Sequence, residues 1–481
     1  MRPILEEVQT AHTPESLLEQ VGAASGNVLL RSRLFDSPQA RYSFVAARPF
    51  LTFRSFGARC DLRGPAGTSH LFGDPWHVLD SLMARYELLD DLDLPFPAGG
   101  CFGYWGYELK NFCEPRLPRR AVNDLELPDC HVGFYDSLVV FDHRLEKAWI
   151  VSTGLRPDGS RHPRHARAQL DRWRAQVNSE PPAAKALARP GAARADGQWT
   201  STLSREGFVQ AVARAQQYIR AGDIYQVNLA HRMAAPSRLG GWEFYERLSS
   251  VSAAPFSAFL DAGEFQIASS SPELFLRLSG SHVTTRPIKG TRPRSADPTR
   301  DAQLSYDLQT SAKEMAELVM ITDLLRNDLG RICEYGTVQV PELVRLERYP
   351  QVQHLVSTVE GRLWPHTTHF LALARCFPGG SITGAPKIRA MEIIDELEPV
   401  TRGPYTGCLG YLGFNRESQL SILIRTAVCR DQTLYYHAGA GIVADSIPEA
   451  EYEETLAKAG GFLSALGHVE STPAPTGAHQ R

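Results

Sequence analysis

Four glutamates fall into two pairs at helical spacing. In Ser311-Ala-Lys-Glu-Met-Ala-Glu-Leu-Val-Met-Ile-Thr-Asp323, Glu314 and Glu317 stand one turn apart, and Leu318, Ile321 and Leu325 continue their face. Two carboxylates on an apolar stripe are costly to bury without a compensating cation. The second pair follows Ser446-Ile-Pro-Glu449, which reads as a capping box with proline near the first turn, and puts Glu451, Glu454 and Lys458 on one face. Two such helices could jointly hold a hard divalent ion, and Mg²⁺ suits the set when a substrate adds oxygens of its own. A pair of solvated helix faces is the other reading of this spacing.

Positive charge is written here almost wholly as arginine. Of 51 Lys plus Arg residues only Lys110, Lys147, Lys185, Lys289, Lys313, Lys387 and Lys458 are lysine. A lysine in a chemically loaded stretch stands out, because it can release its proton and arginine cannot. Lys289 lies between Ile288 and Gly290 in Arg286-Pro-Ile-Lys-Gly-Thr-Arg292. There it is either a desolvated amine with nucleophilic power or an exposed loop lysine. Arg286, Lys289, Arg292 and Arg294 crowd together, yet no aromatics interleave them and the formal net charge is -3, so nucleic acid is not an expected partner. Pro378-Gly-Gly-Ser-Ile-Thr-Gly-Ala-Pro-Lys387 and His437-Ala-Gly-Ala-Gly-Ile-Val443 read as turns, which either offer backbone N–H groups to an anion or merely reverse the chain. The first is no P-loop, since Ala385-Pro386 follows Gly384.

Short strands and interspersed helices must position these residues. Tyr42–Ala46, Leu51–Phe56 and Ser137–Phe141 alternate as strands do, and Gly99–Tyr107 mixes aromatics with glycines as tightly packed strands do. Further on, Tyr225–Leu229, Phe265–Ala268, Leu274–Leu278 and Leu420–Ile424 read as strands; Phe208–Ala221, 311–328, 386–397 and 448–466 read as helices. Without a regular βαβ repeat the class is α+β. At 481 residues two lobes are expected. The Pro- and Ala-rich stretch 178–202 reads as a linker or surface loop between an N-terminal part, 1–177, and a C-terminal part, 203–467, and 468–481 reads as a disordered tail. Acid in the first nine residues argues against a signal peptide, and no apolar run spans a bilayer, so no membrane partner is expected. Eight scattered cysteines without a Cys-x-x-Cys pair suit a reduced, cytoplasmic protein.

The order of these motifs is more specific than any one of them. Ala268-Ser-Ser-Ser-Pro-Glu273, Pro287-Ile-Lys-Gly-Thr-Arg292, Glu314-Met-Ala-Glu317 leading to Asp323-Leu-Leu-Arg-Asn-Asp-Leu329, the Pro378 loop, Gly439-Ala-Gly-Ile-Val443 and Glu451-Tyr-Glu-Glu-Thr455 together resemble the chorismate-utilising enzymes. That family includes anthranilate synthase component I, aminodeoxychorismate synthase component I, isochorismate synthase and salicylate synthase. The resemblance implies two large antiparallel β-sheets packed together, helices outside and a site between the lobes. It implies chorismate as substrate and Mg²⁺ as cofactor, ligated by Glu317 and Glu454 with Glu314 and Glu451 close by. It casts Glu273 as general acid for the departing C4 hydroxyl and His354 as the histidine near that leaving group. Arg425 and Tyr405 would bind the enolpyruvyl carboxylate, assisted by backbone N–H groups around Gly439 and Gly441, with Lys458 near the metal-bound carboxylate and Thr291 also on the substrate.

Fewer residues set the branch. Where isochorismate and salicylate synthases carry a water-activating lysine, this chain has Gln226, and where anthranilate synthases read Pro-Ile-Ala-Gly-Thr it has Pro287-Ile-Lys-Gly-Thr291. A lysine there marks aminodeoxychorismate synthases, in which it attacks C2 before ammonia adds at C4, on the way to p-aminobenzoate and folate. No segment here carries a nucleophilic Cys with a His partner, so a glutamine amidotransferase subunit is the expected ammonia source, and a separate lyase would finish p-aminobenzoate. The alternatives are anthranilate synthase component I and a silent tryptophan-sensing homologue. The family's tryptophan pocket would fall at Ser37 and Ala254-Pro-Phe-Ser257, the latter departing from the usual Asn-Pro-Ser-Pro-Tyr.

Overall fold

The computed structural model describes residues 2–32, 40–88, 92–182, 199–349 and 352–467. Ser37, most of the 178–202 stretch and the 468–481 tail lie outside them. Two twelve-stranded sheets dominate, with antiparallel pairing throughout the ladders. Strands Tyr42–Ala46 and Leu51–Phe56 fall where alternation predicts them, because the period of two puts Leu51, Phe53 and Ser55 on the buried face.

The first sheet runs from Ile4–Val8 at one edge through Val28–Arg31, Phe256–Asp261 and Gln266–Ser271 to Thr433–Ile442 and Gln226–Pro236. The second runs from Ile288–Pro293 and Val352–Arg362 through Leu274–Ser279, Glu417–Ile422 and Cys408–Gly413 to Gly100–Trp105 and on to Gly67–Phe72. Each sheet takes strands from both sides of the 178–202 stretch, so the two layers are not the two halves of the chain. Val28, Phe44, Ala258 and Ile267 of the first sheet and Phe102, Phe134, Leu409 and Leu420 of the second share one core. Burial of that apolar area, about 25 cal/mol per Å², is what holds the layers together.

Helices cover the outer faces. Leu170 and Trp173 of helix Pro163–Val177, Phe244 of helix Gly241–Val251 and Phe462 of helix Pro448–Leu466 pack on the outside of the first sheet. Helix Ala312–Gly330 lies against strand Val352–Arg362 of the second. Helix Arg205–Arg220 begins three residues before its expected start, because the Ser204 hydroxyl accepts from Gly207 N–H and caps it there. All eight cysteines are free thiols, seven of them buried.

Candidate active site

The two acidic helices come from different layers. Helix Ala312–Gly330 rides on the second sheet and helix Pro448–Leu466 on strand Thr433–Ile442 of the first. Lys313 joins them, its Nζ lying 4.0 Å from Glu317 Oε1 and 4.0 Å from Glu451 Oε1. Glu317 also faces Lys289 at 3.6 Å, Glu314 faces Arg292 at 3.5 Å, and Glu454 pairs with Lys458 at 2.7 Å. Each of the four glutamates thus has a cation at hand, as carboxylates on a partly buried face require.

Ser446 does not cap the second helix. With Pro448 as the first helical residue, the cap position falls to Ile447, one place later than expected. Ser446 Oγ instead donates to Glu451 Oε1 at 2.6 Å and accepts from Val443 N–H at 3.1 Å, orienting one of the four acids. Burial raises the Glu451 pKa, and the neighbouring Glu454 adds to the rise. Burial works the same way on Glu454, but Lys458, joined by Lys289 and Lys313, outweighs it and holds that carboxylate below its ordinary range. Burial also lowers the Lys458 pKa, against the pull of Glu454.

The four glutamates offer hard oxygen donors only, and two of them already share one cation, the Lys313 ammonium. Among the described residues no group of three or more His, Cys, Asp or Glu is drawn close enough to hold a metal ion. The described residues therefore form no all-protein cage, and what this set could offer a cation is carboxylate oxygen alone.

Lys289 and residues 439–442 lie on strands, which decides between the two readings of Lys289 and corrects the reading of 437–443 as a turn. Lys289 belongs to strand Ile288–Pro293, where the pairing slips between Lys289 and Thr291 around Gly290 at φ +62°. Its side chain is 18% exposed, so it is not a solvated loop lysine. Gly439 and Gly441 sit in strand Thr433–Ile442, not in a turn, paired across to Ala230 and Asn228. They leave room for polar groups: a Cβ on Gly441 would lie 2.5 Å from Gln226 Nε2 and 3.7 Å from Lys289 Nζ, and one on Gly439 would lie 2.8 Å from the Tyr405 hydroxyl. Lys458 Nζ donates to the Gly439 carbonyl at 2.8 Å.

Glu273 stands immediately before strand Leu274–Ser279 and is 6% exposed. Burial pushes its pKa up to about 7, and the Ser381 hydroxyl and Lys289 only partly oppose this. A carboxyl so placed keeps a proton near neutral pH, which a general acid needs. His354 Nδ1 lies 2.9 Å from Thr291 Oγ1 and 3.4 Å from the Gly290 carbonyl. Burial lowers its pKa to about 4, so the ring is neutral at pH 7.

Tyr405 is stacked on His437 with centroids 4.9 Å apart, and burial raises its pKa to about 12, leaving a neutral hydroxyl. Arg425, at φ +55°, donates to the Lys458 carbonyl at 2.8 Å. Arg402 lies below them, its side chain 1% exposed and paired with Glu398. The remaining basic residues of the Lys289 segment face acids, Arg286 at Glu347 and Arg294 at Asp301, and make no free cationic patch. Pro255, Phe256 and Ser257 line a small pocket with Ser32, Tyr42 and Tyr411.

Sequence reasoning passed over Lys313, Arg402 and Ser381, and read Gln226 only as a missing lysine. Lysine scarcity could have flagged Lys313. The other three depend on contacts between residues far apart in the chain. No helix among the described residues is long and apolar enough to cross a membrane.

The sequence and the fold both have counterparts among known proteins. The family model of chorismate binding enzymes matches residues 31–464. Aminodeoxychorismate synthase component 1 of Escherichia coli is 40% identical over 442 residues, covering 91% of this chain and 93% of its own. Anthranilate synthase component 1 of Thermus thermophilus is 41% identical over 438 residues, 90% of either chain. The crystal structure of anthranilate synthase component I from Streptococcus pneumoniae matches with a TM-score of 0.76 at 32% identity, covering 89% of this chain and 93% of that one.

Proposed function

Since this chain belongs to the chorismate binding enzyme family, we propose that it is the synthase component of an aminodeoxychorismate synthase, forming 4-amino-4-deoxychorismate from chorismate and ammonia. One observation carries the choice of branch. Lys289 Nζ lies inside the site, 3.6 Å from Glu317 and beside the open strand face at Gly441, with its charge felt by the Glu273 carboxyl. An amine there can reach a ring whose leaving group is served by Glu273.

In this reading Lys289 releases its proton to solvent as the substrate binds, and the resulting neutral amine bonds to C2 as the ring double bonds shift and the C4–O bond breaks. Glu273 gives its proton to that oxygen, which departs as water. Ammonia then bonds to C4, the C2–N bond breaks and Lys289 is regenerated. The proton shed by the added ammonia restores Glu273. Arg425, Tyr405 and Lys458 offer donors to the substrate carboxylates, while neutral His354 and Thr291 shape the leaving-group side. Mg²⁺, taken by Glu317 and Glu454 with Glu314 and Glu451 in support, would supply an electrophile for the ring carboxylate. Ammonia would come from a glutamine amidotransferase subunit.

The second reading is C2 amination to anthranilate, favoured by the near-equal identity to anthranilate synthase components. Attack by water is disfavoured, because Gln226 offers an amide where a base is needed. The deciding experiment incubates purified protein with chorismate, Mg²⁺ and ammonium and identifies the products by mass spectrometry. A 4-amino-4-deoxychorismate peak that vanishes in Lys289→Ala supports the proposal. Anthranilate as the sole product overturns it.

A further inference from the structure

Two sequence motifs have no part in the chemistry above, yet the fold joins them. Lys387 Nζ donates to Asp328 Oδ2 at 2.7 Å, to the Pro378 carbonyl at 3.0 Å and to the Cys376 carbonyl at 3.2 Å. Asp328 is at the end of helix Ala312–Gly330, and Lys387 opens helix Lys387–Leu397. Their side chains are 2% and 12% exposed. One ammonium thus uses its three donors to tie the acidic helix, the end of helix His369–Cys376 and the start of the loop that leads from it to Lys387.

That loop is held on every side. A Cβ on Gly380 would come 2.7 Å from Leu324 of the acidic helix, and one on Gly379 would come 2.8 Å from Ile422 and 3.5 Å from the Phe275 ring. Ile422 and Phe275 bracket Glu273, whose carbonyl accepts from Ile422 N–H at 3.1 Å. At its far end the Thr383 carbonyl accepts from Asn228 N–H at 2.8 Å, and the Ile382 carbonyl accepts from Arg402 Nη1 at 3.1 Å. Ser381, between these anchors, sets its hydroxyl against the Glu273 carboxyl.

We propose that Lys387 and Asp328 are positioning residues for Glu273, their buried ion pair fixing the loop that holds Ser381 against the proton donor. The inference rests on the reading of Glu273 as that donor. Cohesion alone does not require such a pair, since apolar residues of similar volume often serve a buried site as well. Apolar side chains would leave the Cys376 and Pro378 carbonyls without this donor, and the path of the loop would lose its anchor. Lys387 touches no reacting atom; it acts through Ser381 and the packing around Glu273.

The test is a double-mutant cycle on chorismate consumption with ammonium and Mg²⁺, a readout indifferent to which amino product forms. Lys387→Met is expected to lower kcat by roughly 10- to 100-fold with chorismate KM nearly unchanged, the scale of a misplaced catalytic group. In a Glu273→Gln background the same change is expected to cost less than about 2-fold, because coupled residues are not additive. Ser381→Ala, which leaves the ion pair intact, is expected to show the same coupling. If Lys387→Met does not fold, Asp328→Asn/Lys387→Met takes its place, since it leaves no lone buried charge. A Lys387→Met effect that persists in full with Glu273→Gln, or falls on KM alone, overturns the inference, as does a silent Ser381→Ala. Wild-type kcat in Glu273→Gln alone overturns the proton-donor assignment instead, and the inference with it.

Discussion

Arg402→Met probes the floor of the site. The arginine donates to both Glu398 oxygens, at 2.8 and 2.6 Å, to Thr406 Oγ1 at 3.2 Å, and to the carbonyls of Ile382 and Asn228 at 3.1 and 2.7 Å. Its guanidinium also lies over the rings of Tyr107 and Tyr405, 4.8 and 5.6 Å from their centroids. Methionine fills much of the volume and supplies none of the donors. Glu398 would keep only the Ala230 N–H at 2.9 Å. Breaking a buried pair from one side costs about 3–5 kcal/mol, most of it the uncompensated charge left behind. That is a large fraction of a whole domain's stability of ~5–15 kcal/mol. The assay is urea unfolding, in which the midpoint should fall at constant slope. Adding Glu398→Leu removes the stranded charge, so the double variant should be more stable than Arg402→Met. A single-variant loss below ~1 kcal/mol, or a double variant less stable than the single, would refute the reasoning.

Other expectations follow from the same contacts. Turnover should decline as pH rises through about 7, where buried Glu273 loses its proton, and that limb should disappear in Glu273→Gln. Glu108 is likewise raised by burial to about 7, from 4.5. An acid harder to ionise when folded destabilises the fold as pH climbs from its unfolded to its folded pKa, so stability should fall between about pH 4.5 and 7 and then level off, as urea midpoints across that range would show. Glu317→Gln should sharply weaken the Mg²⁺ dependence of chorismate consumption; an unchanged Mg²⁺ titration would remove Glu317 from the ligand set. Gly290→Ala should cost roughly 1–2 kcal/mol of stability from its left-handed backbone, and more from a Cβ 2.5 Å from Leu308. Near-wild-type turnover in that variant would show that the bulge does not position Lys289.

What the sequence made legible was whatever local spacing encodes. Helix Pro448–Leu466 and strands Tyr42–Ala46 and Leu51–Phe56 match their predicted bounds, because amphipathic period and turn residues bracket them. Glu314, Glu317, Glu451 and Glu454 could be paired within each helix, but nothing in the spacing says that Lys313 bridges the two. The 437–443 glycines were misread because glycine-rich runs ordinarily mark turns. Here the missing side chains clear a strand face for Gln226, Lys289 and Tyr405, which come from other parts of the chain. Arg402 and the Lys387–Asp328 pair were invisible for the same reason: their meaning lies in carbonyls that only the folded chain brings near.

The interleaving of the two sheets also governs how the molecule can be made. Val28–Arg31 needs Phe256–Asp261 as a neighbour, and Gly100–Trp105 needs Cys408–Gly413, near the last helix. The portion synthesised first therefore leaves the ribosome with open strand edges and no complete layer. Such distant pairing makes for slow folding and exposes sticky intermediates while the chain waits for its remainder. A gene divided within 178–202 should yield two pieces that aggregate when produced apart and regain chorismate turnover only when produced together.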